Sequence, residues 1–129
     1  MKILLDAHAA IWHKTDDPRL SRTASDALEN PRNELFISVV TFWELGIKES
    51  LGKLKIRGGV DDLHAEWIGS GAASLLQIEW KHLRRNLALP WLHRDPFDRL
   101  LISQALAEGM KLVTVDSEIR KYPGVQIVG

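Results

Sequence analysis

The sequence predicts an α/β protein: three layers, α/β/α, around a central parallel sheet of four to five strands. Three observations carry this. Short continuous apolar runs, Ile3-Leu4-Leu5 first among them, have the character of strands buried on both faces. Helix-patterned segments alternate with these runs, the order that gives a parallel sheet covered on both sides. No internal repeat, low-complexity segment or linker divides the chain, so residues 1–129 read as one domain large enough for a real core.

The first strand, Ile3–Leu5, ends in Asp6, and residues 7–13 follow as a helix broken at Thr15-Asp16-Asp17-Pro18. Ser21 has the side chain to cap a second helix through Glu29, stopped by Asn30-Pro31. Glu34–Ser38 is the second strand, and a helix over Val40–Leu51 closes at Gly52. Lys53–Gly59 is a basic loop. Val60–Ile68 reads as helix, ended by the connector Gly69-Ser70-Gly71, which lacks the lysine and spacing of a phosphate loop. Ser74–Ile78 is a third strand and Glu79–Ala88 another helix. Residues 96–108 form the best-marked helix: Asp95 caps it, Pro96 sits where its missing N–H costs nothing, and Gly109 ends it. Lys111–Val115 is a fourth strand ending in Asp116. Ser117–Tyr122 is one helical turn, and Val125–Val128 is the last strand.

Composition excludes several classes. Lys+Arg and Asp+Glu both number 17, so net charge points to no partner, although a neutral total can hide an acidic pocket beside basic flanks. The absence of cysteine removes disulfides and thiolate zinc sites and fits a reducing, cytoplasmic compartment. The N-terminus has no signal-peptide pattern, and no apolar run approaches the ~20 residues of a membrane span.

Four acids stand out by position. In open α/β sheets ligands bind beyond the carboxyl ends of the strands. Asp6 and Asp116 each follow a strand, Glu44 lies early in the helix after the second strand, and Asp98 is in the first turn of its helix. Glu44 and Asp98 also lie on apolar helix faces, with Val40, Ile47 and Leu51 in one case and Leu101, Ile102 and Ala105 in the other. Local roles exist for each: a cap for Asp6 and Asp116, an ion pair with Lys48 for Glu44, the helix dipole for Asp98. Together they form an oxygen-rich cluster that repels itself unless protons or a cation neutralise it. Mg²⁺ or Mn²⁺ suits such ligands, and the chemistry implied is metal-assisted phosphodiester hydrolysis.

Five segments, in order, resemble the PIN-domain family, specifically VapC-type toxins of bacterial toxin–antitoxin pairs. They are Ile3-Leu4-Leu5-Asp6-Ala7-His8-Ala9, Phe42-Trp43-Glu44-Leu45-Gly46-Ile47-Lys48, Leu51-Gly52-Lys53-Leu54, the run Leu92–Ile102 containing Arg94-Asp95-Pro96-Phe97-Asp98-Arg99, and Leu112-Val113-Thr114-Val115-Asp116. The resemblance covers nearly the whole chain. It implies a PIN-like α/β/α fold and Mg²⁺- or Mn²⁺-dependent cleavage of RNA by the quartet Asp6, Glu44, Asp98 and Asp116. It also implies a homodimer or toxin–antitoxin hetero-oligomer, and inhibition by a cognate antitoxin. Two departures bear on the site. Ala7 replaces the usual Thr or Ser, which implies tuned activity, and Ser117-Glu118-Ile119 replaces a turn richer in aspartate and phenylalanine. An alternative reading keeps the fold mainly to hold a DNA-binding partner, with catalysis weak or lost. An α/β phospho-receiver fits less well, because the second and third strands end in Ser38 and Ile78 where an acceptor aspartate is required.

Other residues carry weaker signals. Lys48, Lys53, Lys55 and Arg57 are a basic stretch able to hold RNA phosphates, or a solvated face. Arg94 and Arg99 flank the acids and are expected to bind phosphate or orient carboxylates. Lys81, His82, Arg84 and Arg85 read as surface, His8 as a partly buried histidine, and Trp43 as core. Trp12, Trp67, Trp80 and Trp91 suit either core or interface.

Overall fold

A computed structural model describes all 129 residues. The elements are β1 (Lys2–Leu5), α1 (Ala7–Lys14), α2 (Arg22–Glu29), β2 (Glu34–Ser38), α3 (Val39–Ser50), α4 (Gly59–His64), β3 (Ser74–Leu76), α5 (Trp80–Leu87), α6 (Pro96–Glu108), β4 (Lys111–Val113) and β5 (Ile127–Val128). The sheet is parallel throughout, in the order β3-β2-β1-β4-β5. No helix is long and apolar enough to cross a membrane.

Alternation along β1 divides the core in two. Ile3 and Leu5 face a layer of Ala9, Ala10, Leu28, Leu45, Leu63 and Trp67, while Leu4 faces Leu101, Ile102, Ala105, Ile119 and Tyr122. Ile3, Leu4 and Leu5 are fully buried, as an apolar run between two helical layers requires.

Three strands are shorter than the sequence suggests, because a strand lasts only as long as its neighbour does. β3 stops at Leu76, whose partner Ser38 is the last residue of β2, so Gln77 and Ile78 have nothing to pair with. β4 stops at Val113, whose partner Leu5 ends β1; Thr114, Val115 and Asp116 run past the sheet edge. The final strand is Ile127–Val128 alone, not Val125–Val128. Helix ends follow local chemistry: Ser21 caps α2 by accepting the Ala24 N–H at 3.1 Å, and Asp95 and Gly109 bound α6 as expected. The helix expected over Val60–Ile68 is instead α4 followed by a π-helical turn, Ala65–Gly69, which seats Trp67 in the core.

Trp67 ties that turn to α1. It is 2% exposed and its indole N–H donates to the Ala10 carbonyl at 3.0 Å. Trp67→Ala should cost about 3–5 kcal/mol, read as a lower midpoint in urea unfolding. A change below about 1 kcal/mol would mean the π turn is not anchored by this ring.

Candidate metal centre at the carboxyl rim of the sheet

The carboxyl ends of β1, β2 and β4 form one rim. Asp6 follows β1 directly, Ser38 ends β2 and caps α3 by accepting the Val40 N–H at 3.1 Å, and the segment after β4 carries Asp116. The head of α6 reaches the same rim, where Asp95 Oδ1 accepts the N–H groups of Phe97 at 2.9 Å and Asp98 at 3.2 Å. That cap fixes the first turn of the helix and therefore the base of the Asp98 side chain.

Asp98 and Asp116 come together there, joined by a residue the sequence reading missed. His93 Nε2 lies 2.9 Å from Asp98 Oδ2 and 3.9 Å from Asp116 Oδ2. One ligand atom from each of the three lies within 4.8 Å of the others. Burial pushes the Asp98 carboxyl up to about 7, with the charges of Asp95 and Asp116 adding to the effect and the His93 hydrogen bond opposing it. His93 is raised in turn, chiefly by its hydrogen bond to Asp98.

Asp6 and Glu44 stand outside that cluster. Asp6 is 5% exposed and caps α1, its Oδ1 accepting the Ala9 N–H at 2.7 Å. Burial raises its carboxyl, opposed first by a hydrogen bond from the Thr114 side chain. The same Thr114 hydroxyl accepts the Asp116 N–H at 3.1 Å, so one buried side chain connects two of the acids. Thr114 therefore places a hydroxyl beside Asp6 even though Ala7 has none. Glu44 is 7% exposed, and its Oε2 lies 3.1 Å from Lys48 Nζ, the helical ion pair weighed from the sequence. Asp116 does not follow its strand directly; it sits three residues on and caps the next turn by accepting the Glu118 N–H at 2.9 Å.

Several expectations need correction. Arg99 neither binds at the rim nor orients a carboxylate. It is 2% exposed, has no acidic partner, and donates to the carbonyls of Pro90, Asn86 and Leu89 and to the Tyr122 hydroxyl, at 2.8–3.5 Å. Its spacing on α6 turns it away from Asp98 into the gap beneath residues 86–92. His82 is not on the surface: it is fully buried, accepting the Glu79 N–H at Nδ1, with Nε2 2.6 Å from Glu108 Oε2. Lys81 Nζ also reaches that carboxylate, at 2.9 Å, so this second acid–histidine group is a completed tie between α5 and α6. His8 is exposed rather than partly buried, and Trp43 lies outside the core, 62% exposed. Only spacing could have hinted at His93 and Thr114: one stands five residues before Asp98, the other two before Asp116.

Asp98 and His93 shift in the same direction, so the folded protein binds more protons than the unfolded chain. For Asp98 this holds between pH 3.8 and about 7. The His93 contribution is complete below 6.5 and is lost as pH rises through its raised folded value. Metal-free protein should therefore lose stability as pH rises from about 5 to about 8. Asp98→Asn should flatten the slope and raise Tm at the alkaline end by roughly 3–6 °C. Melting curves in EDTA across that range check it, and an unchanged slope in the variant would place the titration elsewhere.

The family model of the PIN domain matches residues 3–125. The ribonuclease VapC22 of Mycobacterium tuberculosis is 29% identical over 123 residues, covering 93% of this chain and 91% of that protein. Among solved structures, VapBC2 from Rickettsia felis, bound to a DNA fragment from its promoter, superposes with a TM-score of 0.75 at 18% identity, over 98% of this chain and 97% of the other. VapBC-1 from nontypeable Haemophilus influenzae gives 0.72 at 18% identity, over 98% and 96%. Those two likenesses establish the three-layer fold with its five-stranded parallel sheet. With the family model matching residues 3–125, from the first strand to the segment just before the last, this chain belongs to the PIN domain family.

Proposed function

We propose that the protein is a metal-dependent endoribonuclease, acting as one PIN domain over residues 1–129 and as the toxin of a VapBC-type toxin–antitoxin pair in the cytoplasm. The observation that carries the reading is the Asp98–Asp116 pair, two carboxyl groups held together on a half-buried rim with one of them pushed up to about 7. Like charges so placed are relieved by a proton or by a cation.

The donor set fits a hard divalent ion. It offers carboxylate oxygens, with no thiolate anywhere in the chain, and Mg²⁺ and Mn²⁺ favour oxygen ligands; the His93 imidazole is a hydrogen-bonding neighbour rather than a donor these ions select. Asp98 and Asp116 are assigned to hold the ion, with Asp6 and Glu44 completing the acidic quartet. Bound there, Mg²⁺ or Mn²⁺ supplies Lewis acidity toward a phosphodiester and an attacking water.

The protein's own groups do the rest. The Asp95 cap keeps Asp98 at the helix head, and Thr114 keeps Asp6 and Asp116 in fixed relation. His93 supplies a hydrogen-bonding partner that steadies Asp98 when no cation is bound. Lys48 shields Glu44, while exposed Lys53, Lys55, Arg57 and Arg94 give a phosphate backbone cationic contacts of low sequence selectivity. An antitoxin as partner, and a homodimer or toxin–antitoxin hetero-oligomer as the assembly, are supported by relatives that were solved as VapBC complexes. The hydroxyl of Thr114 beside Asp6 weakens the sequence argument, drawn from Ala7, for a module that only holds a DNA-binding partner.

Protein freed of any partner should cleave a mixed RNA pool with Mn²⁺ or Mg²⁺, and EDTA should abolish cleavage. Asp98→Asn should keep the fold and reduce cleavage by at least ~100-fold, the upper end of what is lost when even an outer partner of a metal site is removed. Full activity in that variant would remove Asp98 from the site. A folded, metal-binding wild type that cuts no RNA would favour the partner-holding reading.

A further inference from the structure

Trp43 stands between the two acid-bearing helices with an open ring. It precedes Glu44 on α3, and its neighbours turn inward: Glu44 and Leu45 are buried, and Phe42 packs against the core and edge-on to His64 at 5.0 Å. Trp43 alone points outward, 62% exposed. Its one aromatic neighbour is Phe97, at 5.3 Å and 76° between planes. Phe97 directly precedes Asp98, and its N–H is held by the Asp95 cap. The Trp43 ring is therefore braced against the same helix turn that carries Asp98.

The other four tryptophans already have a cation over the ring. Arg19 covers Trp12 at 4.4 Å, Lys14 covers Trp67 at 4.6 Å, Arg84 covers Trp80 at 5.9 Å and Arg99 covers Trp91 at 3.8 Å. Trp43 has none. A T-shaped contact with Phe97 engages at most one face of the Trp43 ring and leaves the other for a flat π partner.

We propose that Trp43 is a stacking platform for one base of single-stranded RNA, next to the phosphate that is cut. The inference rests on the ribonuclease reading and adds a substrate-positioning residue to it. A phosphodiester brought to the acids carries a base on either side, and aromatic faces bind unstacked bases whatever their identity. The platform thus fixes register and favours single strands over duplex without choosing among bases.

The test uses the non-cleaving Asp98→Asn protein as background and a short, fluorescently labelled RNA of mixed sequence. Adding Trp43→Ala should weaken binding about 5- to 150-fold, the range of one base–aromatic stack, while Trp43→Phe keeps most of the affinity. An abasic site walked along the RNA should erase the difference at one position, and Trp43→Ala made alone in the wild-type protein should leave its Mn²⁺ affinity unmoved. Folding of both variants is checked by their melting curves. Equal RNA binding by parent and Trp43→Ala would overturn the proposal, and a change in sedimentation alone would assign the ring to a protein contact instead. If the parent binds no RNA and the wild type cuts none, the ribonuclease reading itself fails, an outcome distinct from a parent that binds RNA with or without the ring.

Discussion

Parallel pairing of β1 with both β2 and β4 is the constraint on which the rest of the structure depends. Leu5 lies level with Ile37 on one side and Val113 on the other, so three strands end at one height. Whatever follows each strand must leave the sheet at that rim. The chain leaves it each time through a polar residue that satisfies a helix or turn: Asp6 for α1, Ser38 for α3, Asp116 for the turn after β4. Two of the candidate metal ligands, Asp6 and Asp116, are thus caps as well. A helix start needs an acceptor, and several helix starts on one rim collect acceptors in one place.

The collection has an electrostatic consequence. Asp98 and Asp116 are close enough that burial and mutual charge keep a proton near neutral pH, and His93 sits where a cation is wanted. His93 is held by its own segment, and that segment is held by Arg99. The Arg99 guanidinium is buried without a counter-charge and stabilised by carbonyl oxygens at residues 86, 89 and 90 and by Tyr122, whose hydroxyl also donates to the His93 carbonyl at 3.4 Å. One residue of α6 therefore presents a carboxyl group to the rim, and the next fixes the loop that answers it. Helical geometry, about 100° per residue, lets adjacent residues serve opposite sides.

Much of this was legible in the sequence where the physics is local. Asp95, Pro96 and Gly109 bound α6 because caps and left-handed turns depend on neighbouring backbone. Ser21 marks a helix start for the same reason. Strand lengths were less legible: Ser74–Ile78 and Lys111–Val115 look like five-residue strands, but each has only three residues with a partner. Tryptophan and histidine burial was the least legible. Trp43 and Trp67 are chemically alike, and only packing puts one at 62% exposure and the other at 2%.

The sequence by itself determined the three-layer parallel architecture, the helix boundaries set by caps, and which acids, Asp6, Asp98 and Asp116, stand at or just past strand and helix ends. Those follow from periodicity and from bonds within a few residues. Tertiary structure alone decided which groups meet. It brought His93 to Asp98 and Asp116, put Thr114 between Asp6 and Asp116, turned Arg99 inward, buried His82 and left Trp43 open beside the acids. Each of these depends on distances between segments far apart in the chain. Such distances are set by how the layers pack, a property that no local pattern carries.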